Sequence, residues 1–406
     1  MKFVHLADAH LDSPFLGLSF LPSNQFEKIK NTTQTSFKKI IDQAIANEVD
    51  LVLIAGDTFD SIHPSPQSQI FLNNQLQRLV DHEIQTVMIL GNHDYLKPDE
   101  LLLPQSPYFK LLGSDQEVEK IEFKTKNNFT YRVVGFSYQE NHITSDKINE
   151  FPEKTDNVFT FGLMHAGEKM HNQGQDNYAP FETSEIKALN YDYFALGHIH
   201  LRQVLSEQPK IVYSGNIQGR HINESGPKGY YYGEVNENIN TVQIKFVPTA
   251  PVIWQKITIN LNQPQSQTEL IQLLQTELRQ HLEQETLLAV ELKGAQFLTD
   301  EEMEFIRDPD SWEQISNNLP FNSRLVKVYL KDNDVLSLNE SDKEAFDQAR
   351  AEVLSPENIK ILGKNLAKKD DTVRELFENE EFLKEIQDLA TVKLGQELKG
   401  FDDEIK

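Results

Sequence analysis

Five segments of this 406-residue chain end in residue types that commonly bind metal ions. Each follows an apolar run that is typical of a buried strand. Together they offer carboxylates, imidazoles and one amide oxygen, a mixture that suits Mn²⁺, Fe²⁺ or Zn²⁺ rather than Ca²⁺. The segments are Asp8-Ala-His10, Gly56-Asp57, Gly91-Asn92-His93-Asp94, Met164-His165 and Gly197-His198-Ile199-His200.

The spacing of these residues indicates a shared site. In an open α/β sheet, ligands bind at the carboxyl ends of the strands, so the five strand ends are expected to meet at one edge. Asp8 and His10 are two residues apart and point the same way if the extended backbone continues past the strand. The full set exceeds what one transition metal ion needs, so two ions with a bridging carboxylate fit better. The predicted ligands are Asp8, His10, Asp57, Asn92, His165, His198 and His200.

Each motif taken alone also has a structural explanation. Asp-x-His is common on protein surfaces, and Gly-Asp at a strand end is usually a turn. Gly-His-x-His alone is a weak signal. The coincidence of all five motifs at predicted strand ends favours the metal site.

The elements that must position these residues alternate along the first 250 residues. Apolar runs such as Phe3 to Ala7 and Leu51 to Ala55 are separated by apolar residues at helical spacing between Phe26 and Ile45. This alternation predicts parallel strands packed between helices. The runs Tyr230 to Val235 and Thr241 to Val247 predict a closing hairpin.

Three domains are predicted. Residues 1–250 carry the motifs, and the segment Pro248-Thr-Ala-Pro251 is a plausible linker. Residues 251–335 predict a small α+β capping domain, because strand and helix patterns alternate there. Ser266-x-x-Glu269 and Thr299-x-x-Glu302 have capping-box spacing, and the second precedes a single predicted helix near Asp300 to Asn317. Residues 336–406 are charged and helical in character. Their apolar residues suggest either a partner-binding segment or a tail packed on its own domain: Leu376, Phe377, Phe382, Leu383, Ile386 and Leu389.

Composition excludes several classes of protein. The formal net charge of −24 argues against a protein that coats nucleic acid through a broad basic face. Bound dications can invert the local field, so a nuclease remains compatible with this charge. The chain has no cysteine, which excludes thiolate ligands and cysteine nucleophiles. Without a signal peptide or an apolar run of about 20 residues, it is predicted to be cytoplasmic, with no membrane contact.

The order of the five motifs resembles the calcineurin-like metallophosphoesterase superfamily. Within it, the opening Phe3-Val-His-Leu-Ala-Asp-Ala-His-Leu11 and the stretch Ala55-Gly-Asp-Thr-Phe-Asp60 resemble the SbcD-type DNA repair nucleases. The run Tyr213-Ser-Gly-Asn-Ile-Gln-Gly-Arg-His-Ile-Asn-Glu224 is closer to a YhaO-type bacterial branch. The resemblance covers about residues 1–250. It implies an α/β fold with a β-sandwich-like core flanked by helices.

The resemblance also implies roles for individual residues. Asp57 would bridge two metal ions, and His93 would be the general acid. Nearby dications disfavour a protonated imidazole, so a neighbouring negative charge must offset their effect on His93. Asp94 is the candidate for this, although a turn-capping role is an open alternative. Some relatives carry a second catalytic histidine where this chain has Asp60. One ion would be held by Asp8, His10 and His200, and the other by Asn92, His165 and His198.

Weaker candidates for phosphate binding lie in loops that would share the same edge. They are Arg202, Arg220, His221 and Lys228, and each is as readily explained as a solvated surface residue. His171, in the polar loop after His165, is a similar case.

The resemblance implies a Mn²⁺-dependent DNA nuclease with two divalent metal ions. SbcD-like nucleases work with an SMC-type coiled-coil ATPase and are often homodimers, so both partners are predicted. One alternative is a phosphoesterase that acts on nucleotides or another non-DNA substrate. Another is a non-catalytic subunit of a DNA-processing complex.

Overall fold

The computed structural model describes residues 1–169, 178–332, 340–367 and 376–404. The chain forms two compact units, Met1–Ile253 and Trp254–Lys406. The three-part division at residues 250 and 335 stays a prediction. Among the described helices, none has the length and apolar character needed to cross a membrane.

The first unit contains two six-stranded sheets. In spatial order, the first sheet has β12 (Thr241–Pro248), β11 (Gly229–Asn236), β1 (Lys2–Leu6), β2 (Leu51–Ala55), β3 (Gln85–Ile89) and β4 (Phe109–Leu111). The second has β5 (Glu119–Lys124), β6 (Thr130–Gly135), β7 (Phe159–His165), β8 (Tyr193–Gly197), β10 (Lys210–Tyr213) and β9 (Gln203–Glu207).

The central strands of both sheets are parallel. Antiparallel strands lie at one edge of the first sheet and at both edges of the second. Strands β1 to β4 pair in parallel, as do β6, β7, β8 and β10. All residues of β2 and β7 are buried, as expected for strands covered on both faces. Strands β11 and β12 form the predicted hairpin.

The two sheets pack face to face with helices outside them. Phe3 and Leu53 of the first sheet share one apolar core with Phe161 and Tyr193 of the second. A second core lies on the outer face of the first sheet, where the helices supply apolar residues at helical spacing, such as Ile40. The result is the predicted β-sandwich-like core flanked by helices. The helices of this unit are α1 (Ser23–Lys30), α2 (Thr32–Ala46), α3 (Pro66–Asp81) and α4 (Thr183–Ala188).

The second unit is an α+β domain built on a three-stranded sheet. Both predicted capping boxes are formed: Ser266 with Glu269, and Thr299 with Glu302. Its strands, in spatial order, are β13 (Ile253–Asn260), β14 (Thr286–Lys293) and β15 (Arg324–Lys331). Its first helices are α5 (Gln267–Arg279), α6 (Asp300–Arg307) and α7 (Pro309–Ser316).

One helical boundary differs from the sequence prediction. The pattern predicted a single helix over residues 300–317, whereas the structure breaks it at Asp308. A residue before proline disfavours the helical conformation, and Asp308 is extended with ψ 127°. Its carboxylate then accepts a hydrogen bond from the Asp310 amide, so it caps the second helix.

The carboxyl-terminal region is helical and packs on its own unit. It contains α8 (Glu340–Val353), α9 (Pro356–Ala367) and α10 (Glu380–Glu404). Within α10, Leu383 is 2% exposed, and Asp388 pairs with Lys331 of β15. Of the two interpretations of this tail, these contacts favour packing on its own domain.

Candidate metal centre

The predicted ligands meet at the carboxyl ends of five strands, three from the first sheet and two from the second. The backbone at several of these positions is not extended, so the two-residue spacing does not by itself align Asp8 with His10. Four of the residues have positive φ: Asp8 (51°), His10 (45°), Asp57 (49°) and His198 (97°). Non-glycine residues with positive φ cost about 1–3 kcal/mol each, so the surrounding structure must hold them in place.

A first cluster contains Asp8, His10 and His200, whose ligand atoms lie within 4.8 Å of one another. The Nε2 atoms of the two histidines are 3.0 Å apart. Two imidazole lone pairs at this distance repel each other unless a proton or a cation lies between them. The donor set therefore fits a divalent cation.

A second cluster surrounds the amide oxygen of Asn92. This oxygen lies 3.0 Å from His165 Nε2 and 3.1 Å from His198 Nδ1. The other ring nitrogen of His165, Nδ1, lies 3.0 Å from the Ala55 carbonyl oxygen. A proton on Nδ1 donates to that carbonyl, which leaves Nε2 free to act as a ligand.

Asp57 lies between the two clusters. Its Oδ2 is 3.3 Å from His165 Nε2 and 3.8 Å from His10 Nε2. Burial disfavours charge on these groups, but their mutual attraction lowers the pKa of Asp57 and raises the pKa of His165 to about 9. The carboxylate thus stabilises positive charge at the position where a cation shared by the clusters would lie.

Glycines leave the space that this arrangement needs. A Cβ atom on Gly91 would lie 2.2 Å from Asp57 Oδ1, and one on Gly56 would lie 2.5 Å from His165 Nδ1. Any side chain at either position would displace a predicted ligand.

The predicted general acid, His93, lies at the solvent-exposed rim of the site. Its backbone amide donates to Asp57 Oδ1 at 2.9 Å, and its ring is 5.1 Å from that of His10. Its Nδ1 lies 3.3 Å from the Asp60 carbonyl oxygen. A proton on Nδ1 can donate to this backbone oxygen, which leaves Nε2 as the ring nitrogen without that contact.

Asp94 is fully buried, and its carboxylate accepts three backbone hydrogen bonds. The donors are the amides of Thr58 (2.7 Å), Phe59 (3.2 Å) and Gly91 (2.7 Å). These contacts join the loop after β2 to the loop after β3. They support the turn-capping role rather than a role in offsetting the effect of the cations on His93.

Behind the first cluster lies a layer of three charged side chains. Arg220, predicted to contact phosphate, instead pairs with Asp60, which lies at the position of a second catalytic histidine in some relatives. The sequence did not single out the third residue, Glu224. Asp60 Oδ1 is 2.8 Å from His10 Nδ1, and Glu224 Oε1 is 2.6 Å from His200 Nδ1. The side chain of Arg220 lies between the two carboxylates. Glu224 belongs to the run that carried the YhaO-type resemblance, but nothing in that run distinguishes it from an exposed turn residue.

The predicted phosphate-binding residues are engaged within the protein. Arg202 stacks on the Phe246 ring at 3.7 Å. Lys228 is buried and donates to the His200 carbonyl oxygen at 2.9 Å. His221 Nε2 lies 3.3 Å from Glu224. His171 is outside the described residues.

Comparison with known proteins gives the class and then the family. The chain is 37% identical over 276 residues to "Uncharacterized metallophosphoesterase YhaO" of Bacillus subtilis, an alignment that covers 68% of this chain and 67% of that protein. Residues 1–202 match the family described as calcineurin-like phosphoesterase. The protein is thus a metallophosphoesterase. It belongs to the calcineurin-like phosphoesterase family.

More distant relatives carry a more specific name. "DNA double-strand break repair protein Mre11" of Sulfurisphaera tokodaii is 26% identical over 264 residues, covering 60% of this chain and 62% of that protein. The protein of the same name from Sulfolobus acidocaldarius is 27% identical over 210 residues, covering half of each. The chain therefore spans less than two thirds of these Mre11 proteins.

Proposed function

We propose that this protein is a two-metal phosphodiesterase that hydrolyses DNA. The observation that carries the proposal is the division of seven donor side chains into two clusters that share the Asp57 carboxylate. In this arrangement Asp8, His10 and His200 hold one divalent ion, and Asn92, His165 and His198 hold the other. Mn²⁺ is the proposed metal because it accepts this mixture of imidazole, carboxylate and amide ligands.

The protein's own side chains account for the remaining chemistry. Two divalent ions, when bound, supply Lewis acidity and charge neutralisation for attack of water on the phosphorus. Asp57 holds the His93 backbone through its Oδ1 atom, so the acid and the metal ligands are positioned by one carboxylate. His93 protonates the leaving oxygen through Nε2 while the Asp60 carbonyl holds Nδ1.

DNA is proposed as the substrate because two relatives are named as DNA double-strand break repair proteins. The net charge of −24 gives no independent support. A homodimer and an SMC-type coiled-coil ATPase are proposed as partners, and the cytoplasm as the compartment. Because α10 packs on its own unit, an ATPase would contact the tail through residues that remain exposed. One such residue is Leu376, whose side chain is 42% exposed.

A substrate comparison tests the proposal. The full chain with Mn²⁺ is assayed on linear duplex DNA, on nucleotides and on a generic aryl phosphodiester, each with and without a chelator. Metal-dependent degradation of DNA is expected, with loss of at least 100-fold in His165→Ala. Cleavage of nucleotides alone would support a phosphoesterase that acts on non-DNA substrates. DNA binding without any hydrolysis would support a non-catalytic subunit of a DNA-processing complex.

A further inference from the structure

One guanidinium joins two carboxylates that each contact a different histidine of the first cluster. Arg220 Nη1 pairs with Asp60, and Nη2 lies 3.6 Å from Glu224 Oε1. Asp60 contacts His10, and Glu224 contacts His200, at 2.8 and 2.6 Å. We call Asp60, Arg220 and Glu224 the Arg220 bracket.

The second cluster is supported differently. His165 Nδ1 lies 3.0 Å from the neutral carbonyl oxygen of Ala55, and the Asp8 carboxylate is farther away, at 3.9 Å. A carboxylate partner makes an imidazole a stronger base, and therefore a stronger metal ligand, than a neutral carbonyl does. The two clusters thus differ chemically although their donor types are similar.

We propose that the Arg220 bracket is a positioning device that makes the first cluster the tighter of two metal sites. The inference rests on the proposed two-metal centre. Asp60 lies 2.8 Å from Nδ1 of one histidine of the cluster, His10. Arg220 fixes both carboxylates, so that the Nε2 atoms of His10 and His200 stay 3.0 Å apart.

Glu224 has further anchors that do not depend on the Arg220 side chain. Its Oε2 accepts hydrogen bonds from the Arg220 backbone amide at 2.7 Å and from Asn216 Nδ2 at 2.8 Å. Removing the guanidinium should therefore leave the loop in place. The expected defect is in the positions of the two histidines, chiefly His10, because Asp60 loses its cationic partner.

Mn²⁺ titration of the full chain by calorimetry tests this inference without an activity assay. The wild type is expected to bind two Mn²⁺ ions with unequal affinity. Arg220→Gln should weaken the tighter site about 10- to 100-fold and leave the weaker site unchanged. Arg132→Gln is the control, since Arg132 also joins two carboxylates, Glu122 and Asp156, away from the candidate metal centre. It should leave both Mn²⁺ affinities unchanged.

Manganese electron paramagnetic resonance and a double-mutant cycle complete the test. At one Mn²⁺ per chain, the wild type should give a mononuclear spectrum from one site, whereas Arg220→Gln should distribute the ion between sites. If Arg220 acts through Asp60, the effects of Arg220→Gln and Asp60→Asn on affinity will be less than additive. Should Arg220→Gln fail to fold, Arg220→Lys is used, and it should lose part of the affinity because an ammonium cannot bridge both carboxylates.

The outcomes separate this inference from the proposed function. Two Mn²⁺ sites of equal affinity, or an unchanged tighter site in both Arg220 variants, would overturn the bracket's role and leave the two-metal centre standing. No Mn²⁺ binding by the wild type would overturn both.

Discussion

Replacing Asp94 decides between the two roles that the sequence left open for this residue. Its carboxylate accepts three backbone hydrogen bonds inside the protein. Hydrogen bonds to a charged group contribute about 1.5–3 kcal/mol each, so three would contribute at least ~4.5 kcal/mol. Burial and the charge of Asp57 oppose this, because they raise the pKa of Asp94 to about 7. We expect Asp94→Ala to lower the free energy of unfolding by about 2–4 kcal/mol.

Urea unfolding followed by circular dichroism measures this loss, and hydrogen exchange locates it. The amides of Thr58 and Gly91 should lose protection first, because they lose their acceptor. Asp50→Ala is the control, since Asp50 accepts one backbone hydrogen bond, from Lys2, at an exposed position. It should cost less than about 1 kcal/mol. Full stability of Asp94→Ala together with lost catalysis would refute the capping role. It would instead support a role in offsetting the effect of the cations on His93.

Three further changes have distinct expected results. Gly91→Ala should weaken Mn²⁺ binding at least about 10-fold, measured by calorimetry, because its Cβ would lie 2.2 Å from the Asp57 carboxylate. Gly167→Ala should leave binding unchanged, because its Cβ would lie 3.6 Å from the nearest atom, an ordinary contact. Burial lowers the pKa of His5 to about 3, against 6.5 in the unfolded chain, so this residue costs stability as pH falls below 6.5. His5→Gln should therefore flatten the pH dependence of metal-free unfolding, by about 3 kcal/mol at pH 4. An unchanged slope would contradict a neutral buried imidazole. Leu383→Ala should lower the free energy of unfolding by about 2–3 kcal/mol, because this side chain is buried. Tryptophan fluorescence measures the loss, since both tryptophans lie in the second unit. Leu376→Ala, at an exposed position, should change the free energy of unfolding very little.

The parts of the fold that could be predicted from sequence are those that depend on residues close together along the chain. Strands buried on both faces read as continuous apolar runs, and β2 and β7 are of this kind. Polar residues directly after such runs pointed to one edge of the fold. The helix break at Asp308 also has a local signal, the following Pro309. The prediction of one continuous helix was wrong because the apolar spacing continues through this position.

The parts that could not be predicted depend on contacts between distant residues. The Arg220 bracket joins residues 160 positions apart, and no spacing rule relates them. The same holds for Asp94, since its three hydrogen bonds become visible only when two loops lie side by side. The left-handed backbone at Asp8 and His10 runs against local preference, so a pattern-based argument assigns an extended conformation there. Such departures are expected where a site imposes its own geometry.

Both clusters draw their side chains from both sheets of the sandwich. In the first, Asp8 and His10 follow β1 and His200 follows β8; in the second, Asn92 follows β3 and His165 ends β7. An ion bound in either cluster would therefore link one sheet to the other at the edge where the strands end. By mass action, such binding would stabilise the folded first unit, so a chelator is expected to lower its stability.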